Sequence, residues 1–163
     1  MLLDTSPQAQ RDDSQLAVAT AEQKSLLRSS REKVRALLID SDPADAVDIL
    51  GHAARSRQLV FDVVVCRSVL AAEVELQSAE FDVVYLEYWL GSETSIAFIH
   101  ALASLRGAPC VVLTHLDEPD IRRVAFRAGA EGFLSKDSLN TQGLESVTLA
   151  VLRLRMPAAH AAD

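Results

Sequence analysis

Short apolar runs alternate with stretches of helical apolar spacing from Val34 to Arg155. Each strand-like run is followed by a segment whose apolar residues recur at helical spacing. Strict alternation of this kind predicts a parallel sheet with helices on both faces, joined by right-handed crossovers. Apolar runs of this kind are common in strands buried on both faces. The five runs are VRALLID (34–40), LVFDVVVC (59–66), FDVVYLE (81–87), CVVLTH (110–115) and GFLSK (132–136).

Residues that favour helix ends lie between these runs. Asp42 precedes Pro43, and this pair predicts an N-cap followed by the first turn of a helix. Ser68 is placed to cap the second helix, and Thr94 or Ser95 begins the third. Gly129 predicts the end of the fourth helix, because glycine favours the left-handed conformation found there.

Polar side chains follow four of the five predicted strands. They are Asp40–Asp42, Glu87, Thr114–His115 and Lys136. In open α/β sheets the functional site lies beyond the carboxyl ends of the strands. A carboxylate such as Glu87, placed where a strand buried on both faces ends, needs a cation or metal beside it. The sequence therefore predicts a site where these strand ends meet.

Composition limits the classes of protein to which the chain can belong. Its 163 residues suit one domain, and 49% apolar content is enough for a core. The net charge of −7 argues against nucleic-acid binding. No apolar run approaches the length of a membrane span, and the N-terminus lacks the pattern of a signal peptide. We expect a cytoplasmic protein whose Cys66 and Cys110 are buried and reduced.

Three regions differ in composition. Residues 1–32 are polar with a weak apolar stripe, and are predicted to be an N-terminal extension that is either disordered or an amphipathic helix. Residues 33–156 form the predicted domain. Residues 157–163 are predicted to be a frayed C-terminal tail.

Four motifs, in this order and spacing, resemble the receiver domain of two-component response regulators. They are LLIDSDP, FDVVYLEYWL, VVLTHLDEPD and RAGAEGFLSK, and the last is the most specific. The resemblance covers residues 34–155. It implies a flavodoxin-like (CheY-like), doubly wound, five-stranded parallel sheet of order 2-1-3-4-5.

The resemblance also implies a site. In such receivers a histidine kinase transfers a phosphoryl group to an aspartate that ends the third strand, beside Mg²⁺ held by acidic residues after the first strand. A hydroxyl and a lysine contact the phosphoryl oxygens, and an aromatic residue in the fifth strand changes rotamer. By position, Asp40 matches the first acid, Thr114 the hydroxyl, Phe133 the aromatic residue and Lys136 the lysine.

Several positions depart from the family pattern. Glu87 stands in place of the phosphoacceptor aspartate, and Ser41 in place of the second acid. Glutamate places its carboxylate about 1.5 Å further out than aspartate, and in-line transfer tolerates little displacement. Any Mg²⁺ site formed by Asp40, Asp42 and Glu87 is expected to be weak. His115 replaces a small residue and is expected to crowd the site.

These departures favour a degenerate receiver, a regulatory module rather than an enzyme. It would act without phosphorylation and without a required cofactor, by binding a signalling protein such as a histidine kinase or another regulator. The face formed by the fourth helix, fifth strand and fifth helix is the first candidate surface, for a partner or for a homodimer.

Other interpretations stay open. The main alternative is a receiver that is still a Mg²⁺-dependent phosphoacceptor in a histidine kinase phosphorelay. Glu87 and Lys136 are also consistent with a structural ion pair, and Phe133 with a fixed core ring. Tyr88 and Trp89 either contact a partner or cover the site. A nucleotide or cofactor binder is disfavoured, because no glycine-rich loop follows the first strand.

Overall fold

A computed structural model describes residues 31–155 of the chain. The predictions for residues 1–32 and 157–163 therefore lie outside the described residues, apart from Arg31 and Glu32. Within residues 31–155, no helix is both long enough and apolar enough to cross a membrane.

Five parallel strands form the central sheet, in the order β2-β1-β3-β6-β7. Because β4 and β5 form a separate hairpin, this order is the predicted 2-1-3-4-5 arrangement, which is confirmed. The sheet strands are β1 (Glu32–Ile39), β2 (Leu59–Cys66), β3 (Val83–Leu86), β6 (Cys110–Thr114) and β7 (Gly132–Ser135).

Helices cover both faces of the sheet, as the alternating pattern predicted. One apolar core contains residues of α1 and α5, and the other contains residues of α2, α3 and α4. A short 3₁₀ turn, residues 136–138, links β7 to α5. The helices are α1 (Pro43–Ala54), α2 (Val69–Ser78), α3 (Ile96–Ser104), α4 (Pro119–Ala128) and α5 (Thr141–Arg155).

The predicted caps fix the ends of three helices. The Asp42 side chain accepts a hydrogen bond from the N–H of Ala44 (2.7 Å) at the start of α1. Ser68 accepts one from the N–H of Ala71 (3.2 Å) at the start of α2. Gly129 ends α4 in the left-handed region, with φ of 114°, a conformation that costs other residues steric strain.

Two local features are not evident from the sequence patterns. The segment after β3 contains an antiparallel hairpin of β4 (Trp89–Leu90) and β5 (Glu93–Thr94), with Gly91 at a φ of 70°. Val124 of α4 is apolar but is 39% exposed. It flanks Ala125, which is fully buried, so the buried face of α4 is narrower than the apolar sequence suggests.

Candidate functional site

The ammonium of Lys136 lies among three carboxylates at the carboxyl edge of the sheet. Its Nζ is 2.5 Å from Glu87 Oε2, 2.6 Å from Asp40 Oδ2 and 2.7 Å from Asp45 Oδ2. We call these four residues the carboxylate–lysine cluster. They come from four segments: the ends of β1, β3 and β7, and the first turn of α1. The cluster therefore joins four parts of the domain at one atom.

Backbone donors orient two of the carboxylates. Asp40 Oδ1 accepts a hydrogen bond from the N–H of Asp42 (2.9 Å), and Glu87 Oε1 accepts one from the N–H of Trp89 (3.1 Å). In each case the donor lies two residues further along the loop that follows the strand. One oxygen is thus held by the loop and the other faces Lys136, so these side chains are positioned independently of any ligand.

Asp45 is a member of the cluster that sequence reasoning missed. An acidic residue in the first turn of a helix usually needs no explanation beyond the helix dipole. The available signal was its place three residues after the N-cap Asp42, at the end of the helix that faces the strand ends. Its side chain is 24% exposed, which makes it the most accessible of the three carboxylates.

Burial and charge set the protonation of the cluster. The side chain of Lys136 is only 4% exposed. Burial alone would lower its pKa, but hydrogen bonds to Asp40, Asp45 and Glu87 outweigh that effect and raise the pKa above the ordinary lysine value. Burial would likewise raise the pKa of Asp45, but hydrogen bonds to Lys136 and His115 lower it. The lysine therefore stays cationic, and three carboxylates share one buried ammonium.

His115 supplies a second basic group at the edge of the cluster. Its Nδ1 is 2.5 Å from Asp137 Oδ1, and its Nε2 is 3.3 Å from the carboxylate of Asp45. The hydrogen bond to Asp137, assisted by Asp45, raises the pKa of His115 despite partial burial. The ring is partly exposed and lies beside these carboxylates, with 53% of the side chain accessible.

The remaining acidic-pocket positions line a cleft beside the cluster. Ser41 and Asp42 border an open cleft of about 260 Å³, together with Trp89 and His115. The Asp42 carboxylate is not among the ion-pair partners of Lys136; it caps α1 instead. The structure thus places Asp45, rather than Asp42, against the lysine.

Thr114 and Phe133, which match the hydroxyl and the aromatic residue of the receiver pattern, are both buried. Thr114 is 1% exposed, and its Oγ1 accepts a hydrogen bond from the N–H of Leu116 (3.3 Å). Phe133 is 7% exposed, and the guanidinium of Arg122 lies over its ring at 4.5 Å from the centroid. The Thr114 hydroxyl therefore bonds the loop after β6, and the Phe133 ring packs under a cation from α4.

The cluster fits a divalent cation poorly while Lys136 is in place. Asp40, Asp45 and Glu87 each offer an oxygen, and these oxygens lie within 4.8 Å of one another. Carboxylate oxygens are the ligands that Mg²⁺ prefers. However, all three side chains already contact the Lys136 ammonium, which would repel a cation held by the same oxygens. The Ser41 position adds no carboxylate.

Solved structures share this fold. Three of them are the receiver domain of the Francisella response regulator 1452 (17% identity, 75% of this chain and 99% of that chain covered, TM-score 0.64), the receiver domain of the response regulator NarL from Mycobacterium tuberculosis (25%, 74% and 97%, 0.62), and a Burkholderia pseudomallei response regulator that contains a phosphorylated aspartic acid, a calcium ion and citrate (20%, 74% and 69%, 0.62).

The chain has the fold of a response regulator receiver domain. The neighbours are consistently of this type, and the strand order is the one that the resemblance to receiver domains implied. No protein-family model matches the sequence, and no curated protein matches it. In this fold, Glu87 directly follows β3 and contacts Lys136, which directly follows β7.

Proposed function

We propose that this receiver domain acts in signal transduction without phosphorylation, by binding protein partners in a single preset conformation. The observation behind the proposal is the 2.5 Å contact between Glu87 Oε2 and Lys136 Nζ. Phosphoryl transfer depends on positioned metal ions and cations that meet the incoming charge. Here the Glu87 carboxylate already neutralises the lysine that would meet a phosphoryl oxygen.

The metal position supports the same proposal. Without a second acid at Ser41, and with the lysine ammonium among the three carboxylates, the cluster is stable without Mg²⁺. The domain then needs no cofactor and performs no reaction. Its output is association, in the cytoplasm, with a histidine kinase or another regulator.

The face formed by α4, β7 and α5 is the proposed partner surface. Phe126 on α4 is 45% exposed, and Leu154 on α5 is 73% exposed. Lys136 directly follows β7, so the cluster is connected in sequence to the central strand of this face. Exposed apolar surface is typical of sites that bind another protein.

A second candidate function is Mg²⁺-dependent phosphoryl acceptance. The open cleft of about 260 Å³ beside Glu87 favours it, because a small phosphodonor has a path to the carboxylate. The two candidates differ in what acetyl phosphate and Mg²⁺ do to the protein.

Incubation with acetyl phosphate and MgCl₂, followed by intact mass measurement, tests the proposal. We expect no phosphoryl adduct on the wild type or on Glu87→Asp, because Ser41 still provides no metal-binding carboxylate. The double variant Ser41→Asp with Glu87→Asp is expected to become phosphorylated, and Ser41→Asp alone is the control. A stable adduct on the wild type that disappears in Glu87→Gln would establish the phosphoacceptor instead.

Partner capture tests the second half of the proposal. Wild type, Glu87→Ala and Lys136→Ala are compared as affinity baits under identical conditions. If the cluster sets the binding conformation, both variants lose partners that the wild type retains. Identical partner sets for all three proteins would mean that the cluster does not control association.

A further inference from the structure

Strand β2 is strongly apolar and lies at the edge of the sheet. Its eight residues, LVFDVVVC, contain one charge, Asp62. β2 neighbours only β1 in the described sheet. Such near-continuous apolar runs are typical of strands whose two faces are both covered by helices. At the edge of a sheet, however, an apolar strand is also a template for pairing with another chain. Val65 is already 38% exposed at this edge.

The backbone of β2 shows which groups are available for pairing. The N–H of Asp40 donates to the carbonyl of Cys66 (3.0 Å), so Cys66 directs its backbone groups toward β1. Successive residues of a strand point these groups to opposite sides. Phe61, Val63 and Val65 therefore direct their N–H and C=O groups away from the sheet. Among residues 31–155, no strand pairs with that side of β2.

We propose that β2 pairs in antiparallel fashion with β2 of a second copy of this chain, about a twofold axis at Val63. In this register Val63 faces Val63 of the second copy, and Phe61 faces Val65 of the second copy. All three residues of each copy have outward backbone groups, so they form hydrogen-bonded pairs. Three N–H donors from each copy give six hydrogen bonds, and two five-stranded sheets become continuous.

The charge pattern of the strand favours this register and a second copy as the occupant. Asp62 lies opposite Val64 of the second copy, so the Asp62 carboxylates of the two copies are diagonal to each other. Directly opposed carboxylates would destabilise the pair. An axis at Asp62 would oppose them, and would also require backbone groups that address β1. Asp62 is the only charged residue of β2, so the strand offers little to a strongly charged partner. A second copy of the same apolar strand matches it in polarity.

The helices that contact β2 carry exposed apolar side chains. Both α1 and α2 contact β2. Val47 of α1 is 69% exposed, and Leu70 and Val74 of α2 are 73% and 60% exposed. These are large exposed fractions for aliphatic side chains, and burial of such surface between two copies stabilises association.

Amide hydrogen exchange measured by NMR at several protein concentrations tests the backbone pairing. The amides of Asp62 and Val64 already face β1 and are expected to be protected at every concentration. The amides of Phe61, Val63 and Val65 are expected to exchange quickly in dilute protein and slowly in concentrated protein. Protection of these three that does not depend on concentration would mean that the edge is covered within one chain, and would overturn the proposal.

Two variants with matched exposure test the surface by sedimentation equilibrium. Val65→Lys places a charge on the pairing edge and is expected to weaken dimerisation by about tenfold or more, equivalent to about 1.4 kcal/mol. Val124→Lys, at 39% exposure on α4, is the control and is expected to leave dimerisation unchanged. A third variant, Asp62→Asn, removes the repulsion between the diagonally placed Asp62 carboxylates of the two copies and is expected to strengthen the dimer.

The same experiment separates this interface from the proposed partner face. A dimer lost in Val124→Lys and kept in Val65→Lys would place the interface on α4 and overturn the proposal, as would a wild type that stays monomeric at all concentrations. The dimer is expected to form equally in Glu87→Gln, because β2 contributes no residue to the carboxylate–lysine cluster.

Discussion

Lys136 is the residue on which the carboxyl edge of the sheet depends most. Replacing it by methionine keeps the apolar stem but leaves three carboxylates, two of them buried, without their cation. Removing one partner of a buried ion pair typically costs about 3–5 kcal/mol. We expect Lys136→Met to lower the free energy of unfolding by this amount at neutral pH, measured by urea denaturation. A loss that stays below about 1 kcal/mol would mean that the cluster contributes little to stability.

The same variant is expected to gain a metal site. Without the ammonium, oxygens of Asp40, Asp45 and Glu87 within 4.8 Å of one another form a suitable set for a divalent cation. MgCl₂ or CaCl₂ should therefore raise the melting temperature of Lys136→Met, because a ligand that binds only the folded state stabilises it. The wild type should show no such gain. Equal stabilisation of both proteins would show that the lysine does not exclude the metal.

His115 makes stability depend on pH near neutrality. Its hydrogen bonds to Asp137 and Asp45 raise its pKa in the folded state above the ordinary value of 6.5. This contribution is fully present below that value and is lost as pH rises through the folded-state pKa. Because the ring is half exposed, we expect the effect to be at most about 1 kcal/mol. Urea denaturation from pH 6 to pH 9 should show this decline in the wild type, and a flatter profile in His115→Gln.

At the scale of elements, the strands and helices follow from local sequence and the connections do not. Alternation of apolar runs sets the sheet, and the caps Asp42 and Ser68 set two helix starts, because both effects act over a few residues. The β4–β5 hairpin depends on how the loop folds beside β3, which no short-range pattern shows. Asp45 reaches Lys136 only because α1 packs against the sheet at one particular rotation.

A second cluster connects α5 to the segment between α1 and β2. Glu145 of α5 is buried, and its Oε1 accepts hydrogen bonds from Ser56 Oγ (2.6 Å), the N–H of Arg57 (2.5 Å) and the N–H of Gln58 (3.0 Å). Glu145→Ala leaves these donors without their acceptor. We expect a loss of about 2–3 kcal/mol in the free energy of unfolding, measured by urea denaturation, with Glu73→Ala at an exposed position of α2 as the control.

The pH dependence of this cluster has the opposite sign to that of His115. The hydrogen bond from Ser56, together with those from the backbone, lowers the pKa of Glu145 below its ordinary value of 4.5. Its contribution is present above that value and is lost as pH falls through the folded-state pKa. The difference in stability between wild type and Glu145→Ala should therefore shrink in acid. A difference that is constant from pH 7 to pH 3 would contradict the assignment.

At the scale of the whole molecule, the carboxylate–lysine cluster connects segments that are distant in sequence. Asp40 follows β1, Asp45 lies in α1 and Glu87 follows β3. All three contact Lys136, which follows β7. Packed elements joined in this way shift together between discrete arrangements rather than deforming continuously. If the negative charge of Glu87 already holds these elements in one arrangement, a phosphodonor is not expected to shift them to another.

Hydrogen exchange of the full chain tests this directly. We expect acetyl phosphate with Mg²⁺ to leave the exchange pattern of the wild type unchanged, because a ligand shifts a population only through differential affinity. Lys136→Met should exchange faster in the β1–α1 loop, in the β3–β4 loop and in residues 136–138, by a larger factor than in β2. In the Ser41→Asp, Glu87→Asp variant, phosphodonor and Mg²⁺ should slow exchange at these same segments. If the wild type also slows, the site still responds to phosphorylation and the preset conformation is refuted.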